Sequence, residues 1–213
     1  MNTILYEVIS EMANVIQANK DSLTELDKKV GDGDHGINMA RGFAHVMEKI
    51  HIDEETKISD CLKKVGMTIV TNVGGVSGQL YGSAFLKASM AMRNRDYLDK
   101  EVLGILLRAS LQGIKERGKV VKGDKTIIDA LEPAYEAYIK GIEEGKTAAE
   151  SMKLACEAAE VGVEDTKLMI AKRGRTSYVG EQSMGNEDPG AKSTLLMLQA
   201  IAIVLERQDN KRD

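Results

Sequence analysis

Apolar side chains recur three and four residues apart along almost the whole chain. Leu5, Val8, Ile9, Met12, Val15 and Ile16 form one such stripe, the spacing of a helix that seats one face on a core. Similar stripes predict helices over about 38–50, 58–71, 79–92, 100–114, 126–142, 148–170 and 192–205. No run alternates apolar and polar residues for long enough to make a strand. The connections are short, which favours antiparallel neighbours. The expectation is an all-α single domain over residues 1–207: eight antiparallel amphipathic helices in a barrel-like bundle. A charged tail at 208–213 is expected to fray.

The polar segments between the stripes are uneven. Glycine concentrates in Gly31-Asp32-Gly33-Asp34-His35-Gly36, in Gly74-Gly75-Val76-Ser77-Gly78, from Gly118 to Gly123 and from Gly174 to Gly190. In an up-down bundle alternate connections share an end, and these four follow the first, third, fifth and seventh predicted helices. Their order along the chain therefore predicts one composite site at one end of the bundle.

Each segment admits a chemical reading and a plain one. Asp27, Asp32 and Asp34 repel one another unless solvated or bridged by a cation such as Mg²⁺, which takes hard oxygen ligands. Gly31-x-Gly33-x-x-Gly36 has the spelling of a dinucleotide-binding turn, but no strand precedes it. An EF-hand fails because the twelfth position is Phe43 counted from Asp32 and Asn38 counted from Asp27. His35 can be a structural residue at a helix start or a catalyst, and Asn38 can donate to phosphate or cap the helix. The double-glycine segment with Ser77 suits either an anion nest or a tight turn between helices. Asp124 fits an N-cap, and the lysines around it can meet a nucleotide. Gly185 to Ser193 is one residue away from a P-loop, yet no buried strand leads into it; an acid such as Asp188 caps a helix that Pro189 enters. Arg175 suits stabilisation of a transferring phosphoryl group or a plain surface position.

Composition narrows the classes. The 213 residues are 43% hydrophobic and 29% charged, with a formal charge of −4, so no basic surface for nucleic acid is expected. Cys61 and Cys156 are far apart and lack companions at metal-ligand spacing. The most apolar stretch, Leu195 to Leu205, is too short for a membrane span, which needs roughly 20 residues. A cytoplasmic location is expected. Acidic metal ligands, anion-binding backbone and a basic segment at one end together point to a Mg²⁺-bound nucleotide and phosphoryl transfer.

The motifs GDGDHGINMARGF, NVGGVSGQLYGSAFL, GDKTIIDAL and KRGRTSYVGEQSMGNEDPGAKS resemble, in the same order, the L subunits of bacterial dihydroxyacetone kinases. The likeness runs over nearly the whole chain. It implies an eight-helix barrel with ADP or ATP and two Mg²⁺ ions at one end. It assigns the metals to Asp27, Asp32 and Asp34, and nucleotide contacts to His35, Gly36, Ile37, Asn38, Val76, Ser77, Gly118, Ile127, Arg175, Asp188, Pro189 and Gly190, with Arg175 as the catalytic basic residue. The terminal phosphoryl group would pass to dihydroxyacetone held by a separate K subunit, for which 213 residues leave no room. A phosphotransferase-system M subunit would recharge the nucleotide. The implied alternatives are an ATP-consuming kinase subunit for a related small ketose or triose, and a nucleotide-state-dependent regulator that binds a transcription factor. A homodimer stays open. The chain departs from the family pattern at Gly33, Gln79 and Tyr81, where Ala, Pro and Phe are usual.

Overall fold

Each apolar stripe becomes a helix with that face buried. The computed structural model describes residues 2–51, 56–95 and 97–211. Its α-helices are α1 (Asn2–Ala18), α2 (Lys20–Lys28), α3 (His35–Lys49), α4 (Ile58–Asn72), α5 (Gly75–Ala91), α6 (Lys100–Gly118), α7 (Ile127–Glu143), α8 (Ala148–Asp165) and α9 (Pro189–Asp209). Two 3-10 segments, Thr166–Leu168 and Arg175–Ser183, lie between α8 and α9, and no strand occurs among the described residues. All eight predicted helices are present, and α2 is additional. Its nine residues carry only Leu23 and Leu26 as apolar side chains, and two of its three buried residues are Thr24 and Asp27, so no stripe announces it. The helix expected to run to residue 170 stops at Asp165. Thr166 terminates it, donating its hydroxyl to the Val163 carbonyl at 2.5 Å.

From α3 onward each helix packs on the next, α9 packs on α1, and α1 packs on α3, so eight helices close into a ring with α2 set beside α3. Phe43, Ile69, Ile114, Tyr138 and Met152 are among the side chains buried in it. The interior holds an apolar cavity of about 650 Å³, lined by Val8, Met12, Phe85, Leu103, Met197 and Ile201 among others. The charged residues lining it, Asp99, Lys100, Glu101, Lys146 and Asp209, sit at the end where α6 and α8 begin. No helix among the described residues is long and apolar enough to cross a membrane. The last helix runs through Gln208 and Asp209 of the expected tail; Arg212 and Asp213 lie outside the described residues.

Two local devices place the functional end. At Gly36 a Cβ would come within 2.6 Å of Thr24 Oγ1 and closer still to the Lys20 carbonyl oxygen, so only glycine lets α3 lie this near to α2. Asp188 caps α9, accepting from the Ala191 N–H at 2.7 Å, with Pro189 opening the helix. Burial pushes the Asp188 carboxyl up to about 7, with Asp129 and Asp27 adding to the rise while the Ala191 N–H and Lys125 oppose it.

Gly36→Ala should destabilise the fold by about 2 kcal/mol, roughly 4–8 °C in Tm, measured by thermal unfolding. Asp188 keeps its proton in the folded protein at pH values where the unfolded chain releases it. Its stabilising contribution is therefore complete below about pH 4 and lost as pH rises through about 7. Asp188→Asn retains a capping oxygen without the titration. Its stability relative to wild type should climb by up to about 1.4 kcal/mol per pH unit between about pH 5 and 7, read as diverging Tm values.

Candidate functional site

The up-down order puts the starts of α3, α5, α7 and α9 at one end of the ring, and the connections leading into them bound a single cleft. Its lining takes in Asp27 from the end of α2, Asp32 and Asp34 from the connection after it, His35 and Asn38 from the start of α3, and Gly74 to Ser77 at the start of α5. The stretch from α6 into α7 adds Gly118, Val120 and Lys125 to Ile127, and the stretch from α8 into α9 adds Arg173 to Thr176 and Asp188 to Gly190. The segments singled out by glycine content do meet.

Free N–H groups at a helix start need acceptors. Asp27, buried at the end of α2, accepts from the backbone N–H groups of Asp34 at 2.9 Å and His35 at 3.1 Å, and so serves the start of α3. Thr126 and Asp129 form a reciprocal capping box on α7. Asp188 serves α9. Among the described residues the start of α5 has no side-chain cap: Gly74 precedes it, Gly75 turns at φ +68, and Val76 and Ser77 follow along the cleft wall. This terminus therefore offers backbone donors and the positive end of a helix dipole to an anion.

Beside it, carboxylate oxygens of Asp27, Asp32 and Asp34 lie within 4.8 Å of one another, Asp27 buried, Asp34 half-buried and Asp32 exposed. Three hard anionic donors this close suit a cation of the magnesium type. The Arg175 guanidinium reaches across the cleft and pairs with Asp32. Leu80, Gly118, Val120 and Ile127 supply an apolar wall, the surface that a planar base requires.

His35 is buried with both ring nitrogens engaged: Nδ1 lies 3.1 Å from Ser77 Oγ and Nε2 2.9 Å from Ser193 Oγ. Burial pushes its pKa down, against the opposing charges of Asp27 and Asp34, which favours the neutral ring. The ring thus ties α3, α5 and α9 together. Behind it, the Tyr81 hydroxyl lies 2.7 Å from Ser193 Oγ and 2.8 Å from Thr194 Oγ1, and donates to the Gly190 carbonyl at 2.9 Å. The Tyr81 hydroxyl is therefore bonded into the N-terminal part of α9.

Some expectations change. Gly36 and Ile37 do not line the cleft: Gly36 packs on α2, and Ile37 is 49% exposed. The helix begins at His35, so residues three apart, His35 and Asn38, share the inward face. Asn38 is not a cap, because it lies a full turn inside α3. Its Oδ1 accepts from Arg41 at 2.7 Å. Asp124 does not cap α7 either; Thr126 does, since Lys125 turns at φ +60 immediately before the helix. Asp124 instead accepts from the Val121 N–H at 3.1 Å and faces Lys172 and Arg173 at 3.9 and 3.6 Å. Sequence reasoning assigned no individual role to Lys125, Ser193 or Tyr81. A lysine beside a capping-box threonine was the one local signal.

Comparison with known proteins places the chain. A DAK2 domain model matches residues 29–203. The PEP-dependent dihydroxyacetone kinase, ADP-binding subunit DhaL, of Escherichia coli K12 is 37% identical over 195 residues, covering 92% of this chain and 93% of that one. The PTS-dependent dihydroxyacetone kinase, ADP-binding subunit DhaL, of Lactococcus lactis is 35% identical, covering 93% and 95%. Among solved structures, the native dihydroxyacetone kinase of C. freundii superposes with a TM-score of 0.75 at 25% identity. That match covers 95% of this chain, which spans about a third (34%) of the longer kinase. The chain belongs to the DAK2-domain family, among the DhaL subunits of dihydroxyacetone kinases.

Proposed function

We propose that this end of the ring binds ADP or ATP with Mg²⁺, and that the chain is the phosphoryl-donor subunit of a dihydroxyacetone kinase. The observation that carries the reading is the uncapped start of α5 beside the Asp27, Asp32 and Asp34 carboxylates. One element calls for an anion and the other for a cation, and a metal-bound diphosphate answers both. The relatives known as ADP-binding subunits of PEP- and PTS-dependent dihydroxyacetone kinases agree with it.

In this reading Asp27, Asp32 and Asp34 hold the metal, which would neutralise phosphate charge. The backbone of Gly75, Val76 and Ser77 cradles the phosphates, with the Ser77 hydroxyl oriented by His35. Leu80, Gly118, Val120 and Ile127 flank the base. Arg175, already at the carboxylate rim, stabilises charge on the group in transfer. Catalysis is then mainly positioning and charge neutralisation. The acceptor is dihydroxyacetone presented by a separate K-type subunit, and a phosphotransferase-system subunit recharges the nucleotide.

Asp32→Asn should weaken Mg-ADP binding by at least about tenfold, roughly 1.4 kcal/mol, in isothermal titration while leaving helical circular dichroism intact. Unchanged affinity would remove Asp32 from the metal set. Arg175→Ala should lower the rate of phosphoryl transfer by about 10²–10³ and change nucleotide affinity far less. A loss confined to affinity would make Arg175 a binding residue only.

A further inference from the structure

Lys125 is 1% exposed, and its entire side chain lies under the segment that joins α8 to α9. Its ammonium donates to three backbone carbonyls of that segment: Met169 at 3.3 Å, Asn186 at 2.8 Å, and Ser183. An ammonium has three N–H donors and no acceptor. All three are used here, so none is left for a ligand, although the residue borders the cleft.

The backbone on either side is held firmly. Asp129 accepts from the Gly123 N–H at 2.6 Å and from the Thr126 N–H at 2.7 Å, on both sides of Lys125. Between these points Lys125 adopts φ +60, a left-handed conformation that is unfavourable for a residue bearing a side chain. The carbonyl contacts offset that cost. The facing segment is drawn into a closed loop. Ser183 Oγ accepts from the Ala171 N–H at 3.0 Å and donates to the Gly180 carbonyl at 2.6 Å. The Lys172 N–H donates to the Asp124 carbonyl at 3.1 Å. Arg175 lies between the Met169 and Ser183 anchors, on the stretch 173–176 that forms one wall of the cleft. Without the ammonium, three carbonyl oxygens would converge on an apolar stem with no donor.

We propose that Lys125 is a positioning residue that holds the Arg175-bearing segment against the cleft and thereby sets how long a Mg²⁺-bound nucleotide stays there. The second half rests on the proposed function; the first stands on the structure alone. Lys125→Met keeps the length of the stem and removes every donor. Hydrogen exchange read by mass spectrometry should accelerate about tenfold or more over residues 169–186, with α4 and α5 unchanged. Release of a fluorescent ADP analogue in Mg²⁺ should speed up by about tenfold or more. Exchange rising in parallel through every helix, exchange unchanged over 169–186, or release unchanged beside a loosened segment would each overturn the proposal. If the variant fails to fold, acylation of the wild type decides. Lys125 should be among the slowest lysines to react with a small acylating reagent and slower again with Mg-ADP, whereas labelling as fast as the exposed Lys57 would overturn its anchored role. A wild type with no Mg-ADP affinity overturns the proposed function, and the exchange data then judge the hold on the segment separately.

Discussion

The starts of helices dominate the chemistry of this protein. Each brings N–H groups that the helix cannot satisfy internally, and the ring gathers four starts, α3, α5, α7 and α9, around one cleft. Three are served by acidic or hydroxyl side chains: Asp27, the Thr126 and Asp129 pair, and Asp188. The fourth, behind Gly74 and Gly75, is left without a side-chain cap. A single uncapped terminus among capped ones gives the cleft a definite place for an anion, and Asp27 doubles as cap and corner of the carboxylate cluster.

The two ends of the ring are built from opposite materials. Toward the starts of α6 and α8 the interior opens into an apolar cavity. Toward the cleft it fills with buried polar groups: His35, Lys125, Asp129, Asp188, Ser193 and Thr194. Burial acts on the four titratable ones in the direction their charge dictates, lowering the pKa of His35 and Lys125 and raising that of Asp129 and Asp188. Such groups persist only with partners in place. Lys125, Asp129 and Asp188 bond to backbone groups around the connections, His35 to the hydroxyls of Ser77 and Ser193, and Ser193 and Thr194 to the Tyr81 hydroxyl, so the same bonds that satisfy them also fix the shape of the cleft.

Much of the architecture was legible in the chain. The apolar period of the long helices is a local property, because a helix of that length must bury a stripe. Counting alternate connections was enough to group the four glycine-bearing segments. The helix α2 escaped because it contributes mainly Thr24 and Asp27 to the interior. The readings of Asn38 and Asp124 as caps failed at boundaries set three and two residues away, by His35 and Thr126. Ile37 belongs to the motif by adjacency and faces away by periodicity.

The sequence by itself determined the long helices, their antiparallel order, and the stock of acids, glycines and basic residues delivered to one end, because periodicity and turn chemistry act over a few residues. Only the tertiary structure decided which donors remain free and which side chains are committed. That Lys125 has no proton left to offer, that Ser193 orients His35 from 158 positions away, and that Arg175 meets Asp32 all depend on contacts between connections remote in the chain. Hydrogen-bond capacity is used up by whichever partner the fold brings within about 3 Å, and no local pattern states which that will be.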